Sequence, residues 1–374
     1  MAGWLGALFF IVAILVVVMV HESGHFFTAK AFGIKVEEFF VGFGPRLWSV
    51  RHGETEYGLK AVPLGGYVRI AGMNPFQEPD PVDLPRTFGA KPIWQRALVI
   101  FAGPVTHFLM AFIFLAVYFA AIGLPSDRRP LVQGVQATLA GGPSPAAQAG
   151  LRSGDEIVAV DGTPIRSVDD FIHYTRSHVG QPFRLTVRRD GTDLTLTVTP
   201  VTTTIGGVTA GRIGVELGGV RERLDPLTAI GRGAIVTGLY TQEVVLKLGD
   251  VFGPSGVKRI GQLLFGNATR QPDDPTGLVG GARIAAQAAQ EGAWDNLFAL
   301  LIGFNVFVGL INLLPLPPLD GGHLAVLAYE KVTRRRLDLR RLVPITAVVA
   351  AYLILFVMAV TWLDITNPIP NPFR

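Results

Sequence analysis

His21, Glu22 and His25 stand together in the stretch His21-Glu22-Ser23-Gly24-His25, at the end of a run that carries no charge from Trp4 to Val20. Residues four apart lie on one face of a helix, about a turn apart. On a helix, then, both imidazoles reach one metal ion, and the glutamate beside them is placed to take a proton from a water. Zinc suits such a pair of imidazoles. Two histidines merely satisfied inside a helical bundle are the ordinary alternative. It is weak here, because ionisable groups in an apolar span are expensive and mark function. A catalytic zinc needs a third protein ligand. Asp320 is the best candidate, in the stretch NLLPLPPLDGGH at residues 312–323, where Pro315, Pro317 and Pro318 interrupt a late uncharged run. Backbone there cannot stay helical, and irregular backbone at membrane depth is tolerated where it lines a protein cavity. As a plain N-cap, Asp320 would start a helix near Gly321; beside the two histidines the ligand reading prevails. His323, on the same loop, is a lower-ranked rival.

The elements that must position these groups follow from composition. Of 374 residues, 49% are hydrophobic and only 17% charged, which places the chain among membrane proteins. Four uncharged runs, Trp4–Val20, Ala97–Leu124, Leu297–Leu314 and Leu342–Leu363, are each long enough to cross about 30 Å of hydrocarbon as a helix. The first is not expected to be a secretory signal, since no Lys or Arg precedes it and the first positive charge is Lys30. Basic residues crowd the stretch between runs one and two (Lys30, Lys35, Arg46 and others up to Arg96) and that between runs three and four (Lys331 to Arg341). Both are therefore expected on the cytoplasmic side, with the N-terminus, the stretch from about 125 to 293 and the C-terminus outside. The net charge of +4 comes largely from these loops, so no nucleic-acid partner is expected. Zero cysteines exclude disulfides and thiolate ligands.

Between the spans, alternating residues in 35–70 predict short strands split by Gly and Pro, and the prolines of MNPFQEPDPVDLP predict an extended surface segment. Alternation and β-branched content in 126–200, with helical patterns in SPAAQAG and after the Ser167 cap, predict an α+β module. Residues 225–252 predict a helix along which Arg232, Glu243, Lys247 and Asp250 are spread. Four charges suit an amphipathic helix on the outer interface better than a fifth span. The expected divisions are 1–124, two transmembrane helices with a cytoplasmic-side β-hairpin region at 35–70; 125–205, the module; 206–293, an extracytoplasmic connector with the interfacial helix; and 294–374, two more transmembrane helices.

An H-E-x-x-H in the first span, a Pro-broken N-x-x-P-x-P-x-L-D-G late in the chain and a soluble module between them resemble the site-2 protease family of intramembrane zinc metalloproteases, in its bacterial RseP-like (regulator of sigma-E) form. The resemblance covers nearly the whole chain. It implies one Zn2+ per chain on His21, His25 and Asp320, with Glu22 as base and Asn312 as a residue that positions substrate or supports the oxyanion. VGFGP (41–45) and PLGGYV (63–68) are similar to the family's membrane-re-entrant β-hairpin, which implies substrate contacts from Gly42, Phe43, Gly44, Gly65, Gly66 and Tyr67. GLRSGDEIVAVDG (150–162) resembles part of a single PDZ domain. TGLVGG (276–281) looks like a family turn but has Leu278 where Pro is usual, and GFN (303–305) has Phe304 where a small residue is common. FAGPVTH (101–107) ends in His107 where Asn is usual; a hydrogen-bonding packing role suits this histidine better than that of a fourth ligand.

The expected fold is a polytopic α-helical membrane protein of about four transmembrane helices, with the re-entrant hairpin and an inserted extracytoplasmic PDZ-like domain. The expected function is intramembrane cleavage of single-span membrane proteins, such as anti-sigma factors or signal-peptide remnants, in the bacterial inner membrane, with a site-1 protease acting upstream. A catalytically silent, zinc-stabilised membrane scaffold presenting the module is the alternative, and the intact H-E-x-x-H argues against it, since a silent form has no need of Glu22. A metal-dependent transporter would call for inverted repeats, and none stands out.

Overall fold

The computed structural model describes residues 2–74, 76–77, 80–139, 141–205, 208–266 and 268–371. Pro75, Glu78 and Pro79 of the proline-rich surface segment lie outside the described residues. In chain order the elements are α1 (Ala2–Ala31), β1 (Val36–His52), β2 (Thr55–Ile70), α2 (Ile93–Ala121), β3 (Leu124–Val135), β4 (Thr138–Leu139), β5 (Gly142–Pro143), α3 (Pro145–Gln148), β6 (Glu156–Val160), β7 (Thr163–Pro164) and α4 (Val168–Ser177). They continue as β8 (Phe183–Arg189), β9 (Thr192–Val198), β10 (Val201–Ile205), β11 (Val208–Arg212), β12 (Val215–Glu222), α5 (Pro226–Phe252), α6 (Pro254–Phe265), α7 (Leu278–Gln290), α8 (Trp294–Asn312), α9 (Asp320–Thr333) and α10 (Val343–Thr366). Two compact units result, residues 1–116 with 230–374, and residues 117–229.

In the larger unit, α1, α2, α8 and the segment Leu339–Thr366 that ends in α10 are long and apolar enough to cross a bilayer. The chain is thus a membrane protein with a β-rich region. No proline interrupts α1, which runs from the apolar residues straight through the histidine motif. Small residues let α1 approach its neighbours backbone to backbone. A Cβ on Gly6 would lie 2.4 Å from the Ala285 carbonyl oxygen of α7, and one on Gly24 would lie 2.6 Å from that of Ala102 in α2. Helix α5 falls outside the four spans, and it carries an exposed Glu243–Lys247 pair at 2.7 Å, one turn apart. Strands β1 and β2 form a long antiparallel hairpin whose register shifts repeatedly. Gly42, Gly44 and Gly65 take positive φ within it (86°, 87° and 97°), a backbone that a side chain would strain. Phe26, Ile34, Val36, Ile70, Val99 and Ile100 pack the hairpin's base against α1 and α2. At the far end of α10, buried Asp364 faces Arg270 at 2.8 Å and accepts the N–H groups of Gly277 and Gly280 at 3.0 and 2.8 Å, where α7 begins.

The smaller unit is a sheet in the order β12-β3-β6-β8-β9 with α4 packed on it. Its core holds Val132, Leu151, Ile157, Phe171, Phe183, Leu185 and Val187. The Ser167 side chain caps α4 by accepting the Asp170 N–H at 3.0 Å. This unit runs past residue 205, the end expected for the module. β12 pairs antiparallel with β3 (Val215 with Val135, Leu217 with Val132), and Val215 and Leu217 pack on the core. Just before β6, Asp155 is fully buried and meets Arg189 at the end of β8 through both oxygens at 2.7 Å. Burial pushes the Asp155 carboxyl up, but Arg189 and the Arg152 N–H outweigh it and hold the group below the usual carboxylate range.

Candidate metal centre

The helical period of α1 turns His21 and His25 to the same side, and both are buried. Their Nε2 atoms lie 3.2 Å apart. Asp320, the first residue of α9, brings its Oδ2 to 3.3 Å from His21 Nε2 and 3.4 Å from His25 Nε2. Across α2, the Val99 carbonyl lies 2.8 Å from His25 Nδ1. A carbonyl only accepts, so Nδ1 of His25 carries the proton, and in the neutral ring Nε2 presents a lone pair to the cluster. Two imidazole nitrogens and a carboxylate oxygen thus converge in a buried place. His21 Nδ1 and Asp320 Oδ2 have no hydrogen-bond partner among the described residues. Converging lone pairs repel unless a cation lies among them, and an N,N,O donor set within 4.8 Å fits a tetrahedral metal such as zinc.

The packing around the cluster leaves little freedom. A Cβ on Gly103 would lie 2.2 Å from His25 Nε2 and 2.8 Å from His21 Cε1, so α2 can pass only as bare backbone. Glu22, one residue on from His21, accepts the Val68 N–H of β2 at 3.1 Å through Oε2. Gly66 of the same strand lies against α1, where a Cβ would meet Met19 Sδ at 2.6 Å and Glu22 Cγ at 3.6 Å. The loop 313–319 leaves α8 at Asn312 and delivers Asp320; a Cβ on Gly321 would lie 2.2 Å from the Leu314 carbonyl oxygen, so the turn closes tightly.

The other expected site residues lie on the hairpin and at the end of α8. Val41 pairs with Gly66 and Phe40 with Tyr67. Tyr67 stacks on Phe40 and Phe43 with ring centres 5.9 and 6.2 Å away, and Phe43 is half exposed. Beside Tyr67 and Val68 opens an apolar groove of about 600 Å³, whose walls include Pro317, His323, Val326 and Leu342. His323 therefore lines the groove and is not one of the three clustered donors. Gly277 and Gly280 of the TGLVGG turn serve Asp364.

The profile of peptidase family M50 matches residues 9–357. The chain belongs to peptidase family M50. It is accordingly a metalloprotease. This M50 chain is 36% identical over 402 residues to the zinc metalloprotease Rip1 of Mycobacterium tuberculosis, a match covering 97% of the chain and 98% of the relative. Rip1 of Mycolicibacterium smegmatis is 35% identical over 408 residues, with 98% of both chains covered. The metalloprotease MmpA of Caulobacter vibrioides is 32% identical over 369 residues, with 89% of both covered.

Sequence reasoning missed several parts of this M50 site. Val99 and Val68 act through backbone atoms, which leave no mark in residue type. Gly103 did have a signal: a glycine inside a helical pattern often marks close packing. His107, which the sequence did single out for a hydrogen-bonding packing role, is fully buried on α2, with its ring centre 4.9 Å from that of His21 and its Nδ1 3.3 Å from Asn305 Oδ1.

Proposed function

We propose that this M50 metalloprotease is an intramembrane zinc endopeptidase that cuts the transmembrane segments of single-span membrane proteins. One observation carries it: two buried imidazoles and a carboxylate converge beside a glutamate, on a helix apolar enough to cross a bilayer. His21, His25 and Asp320 hold one zinc ion per chain. Zinc supplies Lewis acidity, favouring ionisation of a water near neutral pH and polarising a peptide carbonyl. Glu22 accepts the proton of the attacking water and returns it to the leaving amine. The Val68 N–H keeps one oxygen of Glu22 in place for that transfer.

A helical substrate has its backbone hydrogen bonds closed, so a segment must unwind before attack. The β1–β2 hairpin, re-entering the membrane, offers backbone N–H and C=O groups to the unwound strand. Gly42, Phe43, Gly44, Gly65, Gly66 and Tyr67 form that surface, the groove beside Tyr67 receives substrate side chains, and Asn312 positions the scissile segment. The enzyme lies in the bacterial inner membrane, with both termini and the PDZ-like module extracytoplasmic. Lys and Arg crowd the stretches 30–96 and 331–341, which supports that orientation. The PDZ-like module either excludes substrates whose ectodomain an upstream site-1 protease has not trimmed or binds a substrate or partner C-terminus.

Glu22→Gln separates a protease from a silent scaffold. In proteoliposomes the variant is expected to keep its zinc and to cleave a single-span reporter about 100- to 10,000-fold more slowly. Cleavage at the wild-type rate would sink the reading.

A further inference from the structure

His323 stands three residues after Asp320 in the first turn of α9, yet it is not one of the clustered donors. It is half-buried and lines the apolar groove of about 600 Å³ that Tyr67, Val68, Arg69 and Ile70 line from the end of β2. That end of β2 is a sheet edge. Gly66 to Arg69 pair with Val41 to Glu38 of β1 on one side, and no other strand pairs with them among the described residues. Their outer side turns toward α1, where the Val68 N–H meets Glu22. A substrate strand laid along this edge therefore lies beside the base, with α9 contributing another wall.

Pairing with β2 satisfies one row of that strand's N–H and C=O groups, and the other row points away from β2. The surroundings there are largely apolar, with Pro317, Val326, Leu342 and Val343 among the walls. A backbone group left unpaired in such surroundings is costly. Other polar side chains at the groove are already engaged. Tyr67 donates to Glu38, Arg69 pairs with Glu37 and Glu38, Asn74 Oδ1 accepts the Phe76 N–H, and Thr346 donates to the Leu342 carbonyl. His323 has no hydrogen bond or ion pair with another described residue. A neutral imidazole offers one N–H donor and one acceptor nitrogen, so it answers either kind of backbone group.

We propose that His323 is a substrate-binding residue of the protease: it hydrogen-bonds the backbone of the unwound segment on the edge turned away from β2, and so holds that segment one helical turn from Asp320. The proposal rests on the endopeptidase reading and on strand pairing at β2. It gives a use to the histidine of the LDGGH stretch that the metal centre leaves over.

The test uses the full-length protein in proteoliposomes with a single-span reporter. It reads kcat/KM in the active enzyme and the reporter's Kd in the Glu22→Gln background. His323→Leu is expected to lower kcat/KM about 10- to 100-fold and to weaken Kd by a similar factor, with zinc at full occupancy. His323→Gln, which restores a donor and an acceptor, is expected to recover most of both losses. His323→Phe keeps a flat ring without nitrogens, and it carries the test if His323→Leu fails to fold. Wild-type kcat/KM and Kd in whichever of these two apolar variants folds would overturn the proposal, as would a His323→Gln variant no better than the apolar one. Loss of zinc from the apolar variant would also overturn it, by making His323 part of the metal centre. Glu22→Gln cutting the reporter at the wild-type rate would instead fail the endopeptidase reading on which the proposal stands.

Discussion

Two buried charged clusters in the larger unit are completed in different ways. At Arg270 and Asp364, side chains only 1% exposed, guanidinium meets carboxylate at 2.8 Å. Backbone fills most of the remaining positions: Asp364 takes two N–H groups of α7, and Arg270 donates to the carbonyls of Pro275 and Asn367, leaving its Nε without a partner among the described residues. At His21, His25 and Asp320 two imidazole nitrogens and a carboxylate oxygen converge with like-natured atoms face to face, and the orienting bond of His25 lies on the far side of its ring. Burying an ion pair is expensive, and it is sustained only when opposite charges and hydrogen bonds answer each other. The first cluster meets that condition from within the chain. The second, on the proposed ligand set, meets it with a metal cation held among its three converging atoms. A buried charge in a span therefore need not be a site; what distinguishes a site is a donor set that the fold itself does not neutralise.

Three substitutions put that distinction at risk. The largest effect is expected from Gly103→Ala, whose methyl would lie 2.2 Å from His25 Nε2. Zinc content, read by elemental analysis, should fall from full occupancy toward zero; full retention would mean that the metal is held elsewhere. Asp364→Ala is expected to destabilise the protein by about 3–5 kcal/mol, because it strands Arg270 as an unpaired buried charge. Denaturant unfolding measures this, and zinc per folded molecule should stay unchanged. A concurrent loss of zinc would show that the two clusters are one system. The smallest effect concerns Asp155 in the other unit. Its pKa is lowered by folding, so its stabilisation is full above the unfolded value of about 4 and is lost as pH falls below it. Protection factors of the β6 and β8 amides, corrected for the intrinsic exchange rate, should fall over that acid range in the wild type and show a flatter pH dependence in Asp155→Asn.

The spans were legible because uncharged runs of that length have few other uses, and the histidine pair because its spacing matches a helical turn. Asp320 was legible from the prolines before it. Other parts were hidden for physical reasons. Asp364 lies one residue past the apolar run that ends at Leu363, and nothing in residue type says that Arg270, nearly a hundred positions earlier, would face it. The pairing of β12 with β3 joins segments about eighty residues apart, and local alternation carries no register. The packing of His107 against the His21 ring and its contact with Asn305 depend on three helices meeting, which no single stretch records.

Asp320 reaches the two histidines from almost three hundred residues further along the chain. A ribosome adds about 5–20 residues per second, so on the proposed ligand set a nascent chain holds HESGH in the membrane for tens of seconds with its third ligand still unmade. On that ligand set the donor cluster is complete only once Asp320 has been made, so a growing polypeptide carries HESGH for most of its synthesis without the third ligand.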